Sequence, residues 1–456
     1  MSGRSIKEFL QNRPIYYKKI DYERFPRAYA AIKDKIPLKN VIQIIGTNGK
    51  GSTGRFLANA IAAAGFRVGH YTSPHVFRLN ERIYLAGPTD KRLNSRELNL
   101  DHNSKQCLNL DRGSSELNFI CDSKSPSKPN LNQSSSELAK QNFRSAPIGR
   151  DVSDAQLQRA HEFLQANLPT EFKDSLSYFE YLTLAAAVIF KECDYCVIEA
   201  GMGGEFDATS SFGRALSLFT PIDTDHLGML GRNLEQIART KLVTMQEAAI
   251  LSDEMSEVPL RIARQIAEKK GTRLSLASDF LDVPQRAQIA EFCARNNLPK
   301  FQISNLSLAL AAMKFLNLKF EISQLPPLNL RGRMEVLAPN LRVDVGHNEL
   351  AAQQAAREIT EIYGGRKIVL IYNAFADKDV FAVLRTLAPV VERVEIFSYE
   401  VADREMAAEA IIRALDALKI PHSPFRGELR AEEEYLVFGS FHLVENFILW
   451  LEARRG

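Results

Sequence analysis

Short runs of β-branched and aliphatic residues alternate along the chain with longer segments of helical period. Val41-Ile-Gln-Ile-Ile45 carries apolar residues on both faces, as a strand inside a parallel sheet must. A Gly-rich turn follows, then a predicted helix over about Thr53–Ala64 with Gly65 as its stop. Capping boxes, Ser153-Asp-Ala-Gln156 and Ser177-Tyr-Phe-Glu180, open two more helices. Strands are predicted at Tyr195–Glu199 and Leu216–Thr220, and helices over Leu234–Ala249, Leu260–Lys270 and Ser304–Leu316. Leu325-Pro-Pro-Leu328 interrupts the pattern as a linker would. Beyond it come strands at Leu341–Val345, Lys367–Tyr372, Arg393–Phe397 and Tyr435–Phe438, with a helix over Glu349–Tyr363. The alternation predicts an α/β protein of parallel sheets covered by helices. It divides into a larger phosphate-loop domain over residues 1–325 and a smaller Rossmann-like domain over 326–456.

Composition changes this picture in one place. Between Asn94 and Ser145, Ser and Asn supply 19 of 52 residues and no apolar period survives, so the stretch is expected to be a disordered or loosely packed insertion. Over the whole chain, 45% hydrophobic and 25% charged residues fit a soluble globular protein of two cores. A net charge of +3 with no dense basic stripe argues against nucleic acid. The first residues lack the apolar core of a signal peptide, and no stretch approaches the roughly 18 apolar residues of a spanning helix. Five cysteines suit a reducing compartment, so a cytoplasmic location is expected; Cys193 and Cys196, despite their spacing, read as plain core cysteines.

The chemistry concentrates in Gly46-Thr-Asn-Gly-Lys-Gly-Ser52, between a buried strand and a helix N-terminus. That context suits a phosphate cradle: Gly46, Gly49 and Gly51 let backbone N–H groups turn to an anion, Lys50 brings a cation, and Ser52 can hold Mg²⁺. The bland alternative is a Gly-rich turn with an exposed lysine. The loop departs from the generic pattern, with Ile44 at its first glycine position and Gly51 following the lysine.

That departure resembles the loop of the Mur ligase superfamily, and the Gly-Ser after the lysine is closest to its folate branch, the bifunctional dihydrofolate synthase/folylpolyglutamate synthases. The resemblance continues in order: Thr72-Ser-Pro-His75 with Leu79-Asn-Glu-Arg-Ile83, Tyr178-Phe-Glu-Tyr-Leu-Thr183, Glu199-Ala-Gly-Met-Gly-Gly204, Asp207-Ala-Thr209, Asp225-His226 and Leu230-Gly231, Lys241, Arg331-Gly-Arg333, and Asp344-Val-Gly-His-Asn348.

The resemblance implies an ATP-dependent ligase that adds L-glutamate to dihydropteroate, or to the glutamate tail of reduced folates, through an acyl phosphate. It also implies Mg²⁺, with two ions, held by Ser52, Ser73, Glu199 and His226, and a monomer with small-molecule partners only. Lys50, His226 and Lys241 would be catalytic, the matching lysine to Lys241 being carbamylated in the family. Gly46, Thr47, Asn48, Gly49, Lys50, Gly51, Ser52, Asn305, Arg333 and Asp344 would meet ATP. Phe179, Glu180, Thr183, Asp207, Ala208 and Thr209 would meet the pterin. Two local departures stand out: Glu205 where the family carries Arg, and Thr240-Lys-Leu-Val-Thr244 around Lys241. Monofunctional synthases of either kind remain the nearest alternatives, and a nucleotide-regulated binding module the more distant one.

Overall fold

The computed structural model describes residues 5–14, 21–88, 149–225, 229–401 and 404–455. The insertion expected over 94–145 and His226 therefore lie outside the described residues. Residues 1–87 and 149–456 form one compact unit, which contains two sheets.

The first sheet has eight strands: β1 (Val41–Ile45), β2 (Val68–Tyr71), β3 (Ile83–Ala86), β4 (Gly149–Asp151), β5 (Tyr195–Glu199), β6 (Leu216–Phe219), β7 (Ala248–Leu251) and β8 (Arg273–Leu276). Their order is β4-β3-β2-β5-β1-β6-β7-β8. The run from β2 to β8 is parallel, and β3 and β4 are added antiparallel at one edge. β1, at its centre, is buried at every position, as its apolar run requires. Its one polar residue, Gln43, donates to Thr209 Oγ1 at 2.8 Å and to Ser210 Oγ at 3.1 Å, so the strand's core also tethers a loop above it.

The second sheet has six strands: β9 (Glu335–Ala338), β10 (Leu341–Asp344), β11 (Ile368–Tyr372), β12 (Val391–Ile396), β13 (His422–Pro424) and β14 (Tyr435–Phe438). Their order is β13-β12-β11-β14-β10-β9, parallel except for β9 at the edge. The α/β architecture expected from the alternating pattern is present.

Local chemistry explains the helix starts. Both capping boxes form: Ser153 accepts from Gln156 N and Ser177 from Glu180 N, with the reciprocal bond from each third residue. Asn348 caps the helix Glu349–Tyr363 by accepting from Ala351 N. Two expectations are corrected. The helix after β1 starts at Lys50, three residues before Thr53, because Gly49 takes a left-handed φ of 88° and turns the loop directly into the first helical turn. The helix expected over Leu234–Ala249 ends at Leu242, and Ala248–Leu251 is strand β7. There the apolar run reads equally well in either period, and burial between β6 and β8 decides for the strand. Cys193, Cys196 and Cys293 are free and buried. Among the described residues no helix is long and apolar enough to cross a membrane.

Candidate active site

In the first sheet β2, β5, β1 and β6 are neighbours, so the loops leaving their carboxyl ends meet at one place. These loops bring Thr72 and Ser73 from β2, Glu199 from β5, the Gly46–Ser52 loop from β1, and Pro221 to Asp225 from β6. β10 of the second sheet delivers Asp344 to His347 opposite them. The result is a cleft of about 170 Å³ lined by Thr47 to Ser52, Ser73, Glu199, Asn305, Arg333 and Asp344. Eleven residues singled out in the sequence, drawn from distant segments, thus share one cavity.

The loop itself is held tightly. A Cβ at Gly49 would sit 2.3 Å from Asn305 Oδ1, and one at Gly51 3.1 Å from Thr72 Oγ1 and 3.4 Å from Glu199 Oε2. At Gly49, with its left-handed φ of 88°, glycine is required; at Gly51 a side chain would crowd Thr72. Asn305 lies within the helix Phe301–Phe315, where it accepts from Thr53 Oγ1 at 3.4 Å and donates to Gln302 Oε1 at 2.9 Å; Gln302 in turn donates to Ser52 Oγ. Lys50 Nζ donates to the carbonyls of Gly46 (3.3 Å) and Thr47 (3.0 Å) and stands 3.9 Å from Glu199 Oε1.

Glu199 is buried, and its Oε2 accepts from Thr72 Oγ1 and from Ser73 N. Burial raises its pKa, opposed by Lys50, the Thr72 hydroxyl and Arg333. Across the cleft Asp344 accepts from Met334 N (2.9 Å) and Gly346 N (2.7 Å), and burial raises it as well, against the pull of Arg333. Arg333 lies over the Phe441 ring at 5.2 Å. His347 is driven down to about 4 by burial and by Lys378, so its ring is neutral near pH 7. The amides of Asn48 and Asn348 bond to each other at 2.9 and 3.0 Å, joining the phosphate loop to the second sheet.

Lys241 sits beneath this floor. Its Nζ is buried and donates to Gly46 O at 3.0 Å, and burial together with Lys50 lowers its pKa to about 7.

The residues expected on the pterin side are arranged differently. Glu180 is the third residue of its capping box and binds Arg24 through both oxygens, at 2.8 to 3.2 Å. Thr183 is buried and donates to Phe179 O at 2.8 Å. Asp207 accepts from Met202 N, Thr209 N and Thr209 Oγ1 at 3.0, 3.0 and 2.6 Å, and Ala208 is buried in the turn it caps. Phe179 packs on Gly201, a lining residue of the cleft, and on Tyr71. None of the six lines the cleft itself.

The sequence reading passed over Phe301 and Phe441, aromatic walls of the cleft, and it quoted Asp225 without Lys378, its partner at 3.3 Å. An aromatic residue in a helical run looks like core, and no pattern of spacing marks it. Among the described residues no group of three His, Cys, Asp or Glu side chains is gathered for a metal.

No family model matches the chain. The dihydrofolate synthase/folylpolyglutamate synthase of Escherichia coli (strain K12) is 26% identical over 474 residues, spanning 98% of this chain and 95% of that one. The crystal structure of Helicobacter pylori folylpolyglutamate synthetase is 33% identical, covers 98% of both chains and superposes with a TM-score of 0.68. The chain belongs to the dihydrofolate synthase/folylpolyglutamate synthase family. Escherichia coli FolC in complex with DHPP and ADP, at 23% identity and a TM-score of 0.72 over 98% of this chain and 97% of that one, shares its fold. Within this family fold the two sheets face the same cleft, one with the phosphate loop and the other with Asp344.

Proposed function

We propose that this chain is an ATP-dependent ligase that joins L-glutamate to dihydropteroate and to the glutamate tail of reduced folates. One observation carries the reading: a single cleft combines the Gly46–Ser52 loop and Glu199 from the first sheet with Arg333 and Asp344 beside the second. The reaction first transfers the terminal phosphoryl of ATP to a substrate carboxylate, giving an acyl phosphate and ADP. The glutamate amine then attacks the acyl carbon, phosphate leaves and an amide remains. Oxygens of like charge crowd together in the first step, so fixed cations and N–H donors supply most of the acceleration.

The residues fit that demand. The first turn of the helix Lys50–Ala63 borders the cleft, where a helix N-terminus favours an anion, and Lys50 needs only to leave two loop carbonyls to reach a terminal phosphate. Arg333 balances charge from the opposite wall. Mg²⁺ fits the donor set: Glu199 has Oε2 committed to Thr72 and Ser73 while Oε1 faces Lys50, and Ser52 and Ser73 offer hydroxyls beside it. Bound there with His226, the ion would supply neutralisation of phosphate charge. An amine with a pKa near 7 is deprotonated in about half of the molecules near neutral pH, against a negligible share at the ordinary value, and the neutral form is the one that takes up carbon dioxide, which supports carbamylation of Lys241. The pterin end would lie along Phe179 and the Asp207 turn.

We take the two sheets as two domains dividing near residues 325 and 326, and the enzyme as a cytoplasmic monomer without nucleic-acid partners; the free, buried cysteines agree with a reducing compartment. The decisive assay is incorporation of labelled glutamate with dihydropteroate or tetrahydrofolate as acceptor, with ATP and Mg²⁺. Incorporation into both supports the reading. Incorporation into one alone leaves the corresponding monofunctional synthase, and into neither overturns the ligase assignment.

A further inference from the structure

The loop Thr72–Arg82 joins β2 to β3, and its parts serve different regions of the molecule. At its start Thr72 and Ser73 are hydrogen-bonded to Glu199, directly beside Gly51 of the phosphate loop. Three residues after Ser73 the chain leaves the first sheet's core. The Val76 side chain, 5% exposed, belongs to the buried apolar cluster formed by strands of the second sheet and the helix Phe441–Arg455, with Val343, Val345 and Val444 among its members. Of the described buried residues in that apolar cluster, Val76 alone comes from before residue 341. Phe77 packs against the same cluster, with the Arg331 guanidinium 5.2 Å from its ring. One carboxylate gathers the backbone at this point. Glu81 Oε2 accepts from Val76 N at 2.8 Å, and Oε1 accepts from Phe77 N at 3.0 Å and Arg78 N at 2.8 Å. Three consecutive amides are thereby satisfied by one side chain, which leaves the loop little freedom.

Three residues span at most about 10 Å of extended chain, and Pro74 fixes one of the intervening φ angles. A displacement of Val76 by a few ångströms cannot be absorbed before Ser73. We propose that Val76 and Glu81 are positioning residues of the ligase site: the seat of Val76 in the second sheet sets where Ser73 stands against Glu199. Docking of the two sheets and assembly of the metal and phosphate corner then become one event. The proposal rests on the ligase reading.

The test compares Val76→Ser, Val76→Ile and Glu81→Gln with the unaltered protein. Gln keeps the shape of Glu81 but turns one acceptor oxygen into a donor, so it frees the loop without opening a cavity. For Val76→Ser and Glu81→Gln the expected result is a kcat lowered roughly tenfold to a hundredfold. The half-saturating Mg²⁺ concentration should rise while KM for the pteroate moves less than about twofold, because only the metal corner is displaced. Val76→Ile should restore both parameters. Folded variants with unaltered kcat and Mg²⁺ dependence would overturn the proposal. Hydrogen exchange of amides 76–78, followed without any substrate, separates this from failure of the ligase reading. Exchange should accelerate in Val76→Ser while the second-sheet strands stay protected, and unchanged exchange at 76–78 overturns the anchor whatever the reaction. Absence of glutamate-dependent turnover in the unaltered protein would instead sink the ligase reading and leave the exchange result to judge the loop.

Discussion

The phosphate corner and the pterin side carry motifs of equal clarity in the sequence, yet they use their polar groups in opposite ways. At the phosphate corner Lys50, Glu199 and Arg333 line a shared cavity, so the bonds that Lys50 and Glu199 make within the protein lie open to exchange with a ligand. On the pterin side Glu180, Thr183 and Asp207 spend theirs on the protein: a capping box with an arginine clamp, a back-bond within a helix, and a turn. The lesson is that a clear motif can serve to shape the walls around a cleft without lining it.

Mutations can break this contrast. The largest effect is expected for Lys50→Ala, which deletes the cation of the phosphate loop: turnover should fall on the order of 10²-fold or more with thermal stability nearly unchanged. Near-normal rates would move the nucleotide elsewhere. Glu180→Ala should do the reverse, lowering unfolding free energy by roughly 3 kcal/mol in urea titrations because it removes a helix cap and a largely buried ion pair together. If stability holds and only KM for the pteroate rises, Glu180 is a direct contact after all. Asp207→Ala sharpens the comparison further. It loosens the turn against which the shorter substrate would sit more deeply, so dihydropteroate use should drop roughly tenfold more than tail extension. Equal losses would show that both substrates rest on that turn alike.

The smaller of the two stability effects concerns pH. The buried Lys241 amine has a folded pKa of about 7, below its ordinary value of 10.5, so between these values the unfolded chain binds more protons. Stability therefore rises with pH across that window. In bicarbonate-free buffer, Lys241→Met should abolish this rise, altering the stability difference between pH 7 and pH 9 by about 2 kcal/mol. Parallel pH profiles in the two proteins would place a charged partner beside the amine.

Much of the fold could be read from the chain because its signals are local. Central strands such as β1 and β11 are buried on both faces and so are apolar throughout, and the helices at Asp154, Tyr178 and Glu349 declare their caps. The short edge strands β4, β9 and β13 are half-exposed and carry no such run, so pairing alone defines them. The boundary at Leu242 was hidden because Ala248-Ala-Ile-Leu251 suits helix and strand equally, and only its neighbours in the sheet choose. The site divides likewise. Gly49 and Lys50 are recognisable from a loop of seven residues, whereas the placing of Phe301 and Phe441 in the cleft and the pairing of Lys378 with Asp225, 153 residues away, depend on tertiary packing.

The bond between Asn48 and Asn348 has a consequence for the protein's synthesis. It closes a loop of 300 residues, for which the chain entropy alone is about 5 kcal/mol, against roughly 1 kcal/mol for each hydrogen bond gained. The pair cannot draw its own loop shut and forms only after both sheets stand. At about 5–20 residues per second, the ribosome takes tens of seconds to deliver Arg333 and Asp344 after the phosphate loop has emerged. Until then the nascent chain holds the Gly46–Ser52 loop without the opposite wall of its cleft.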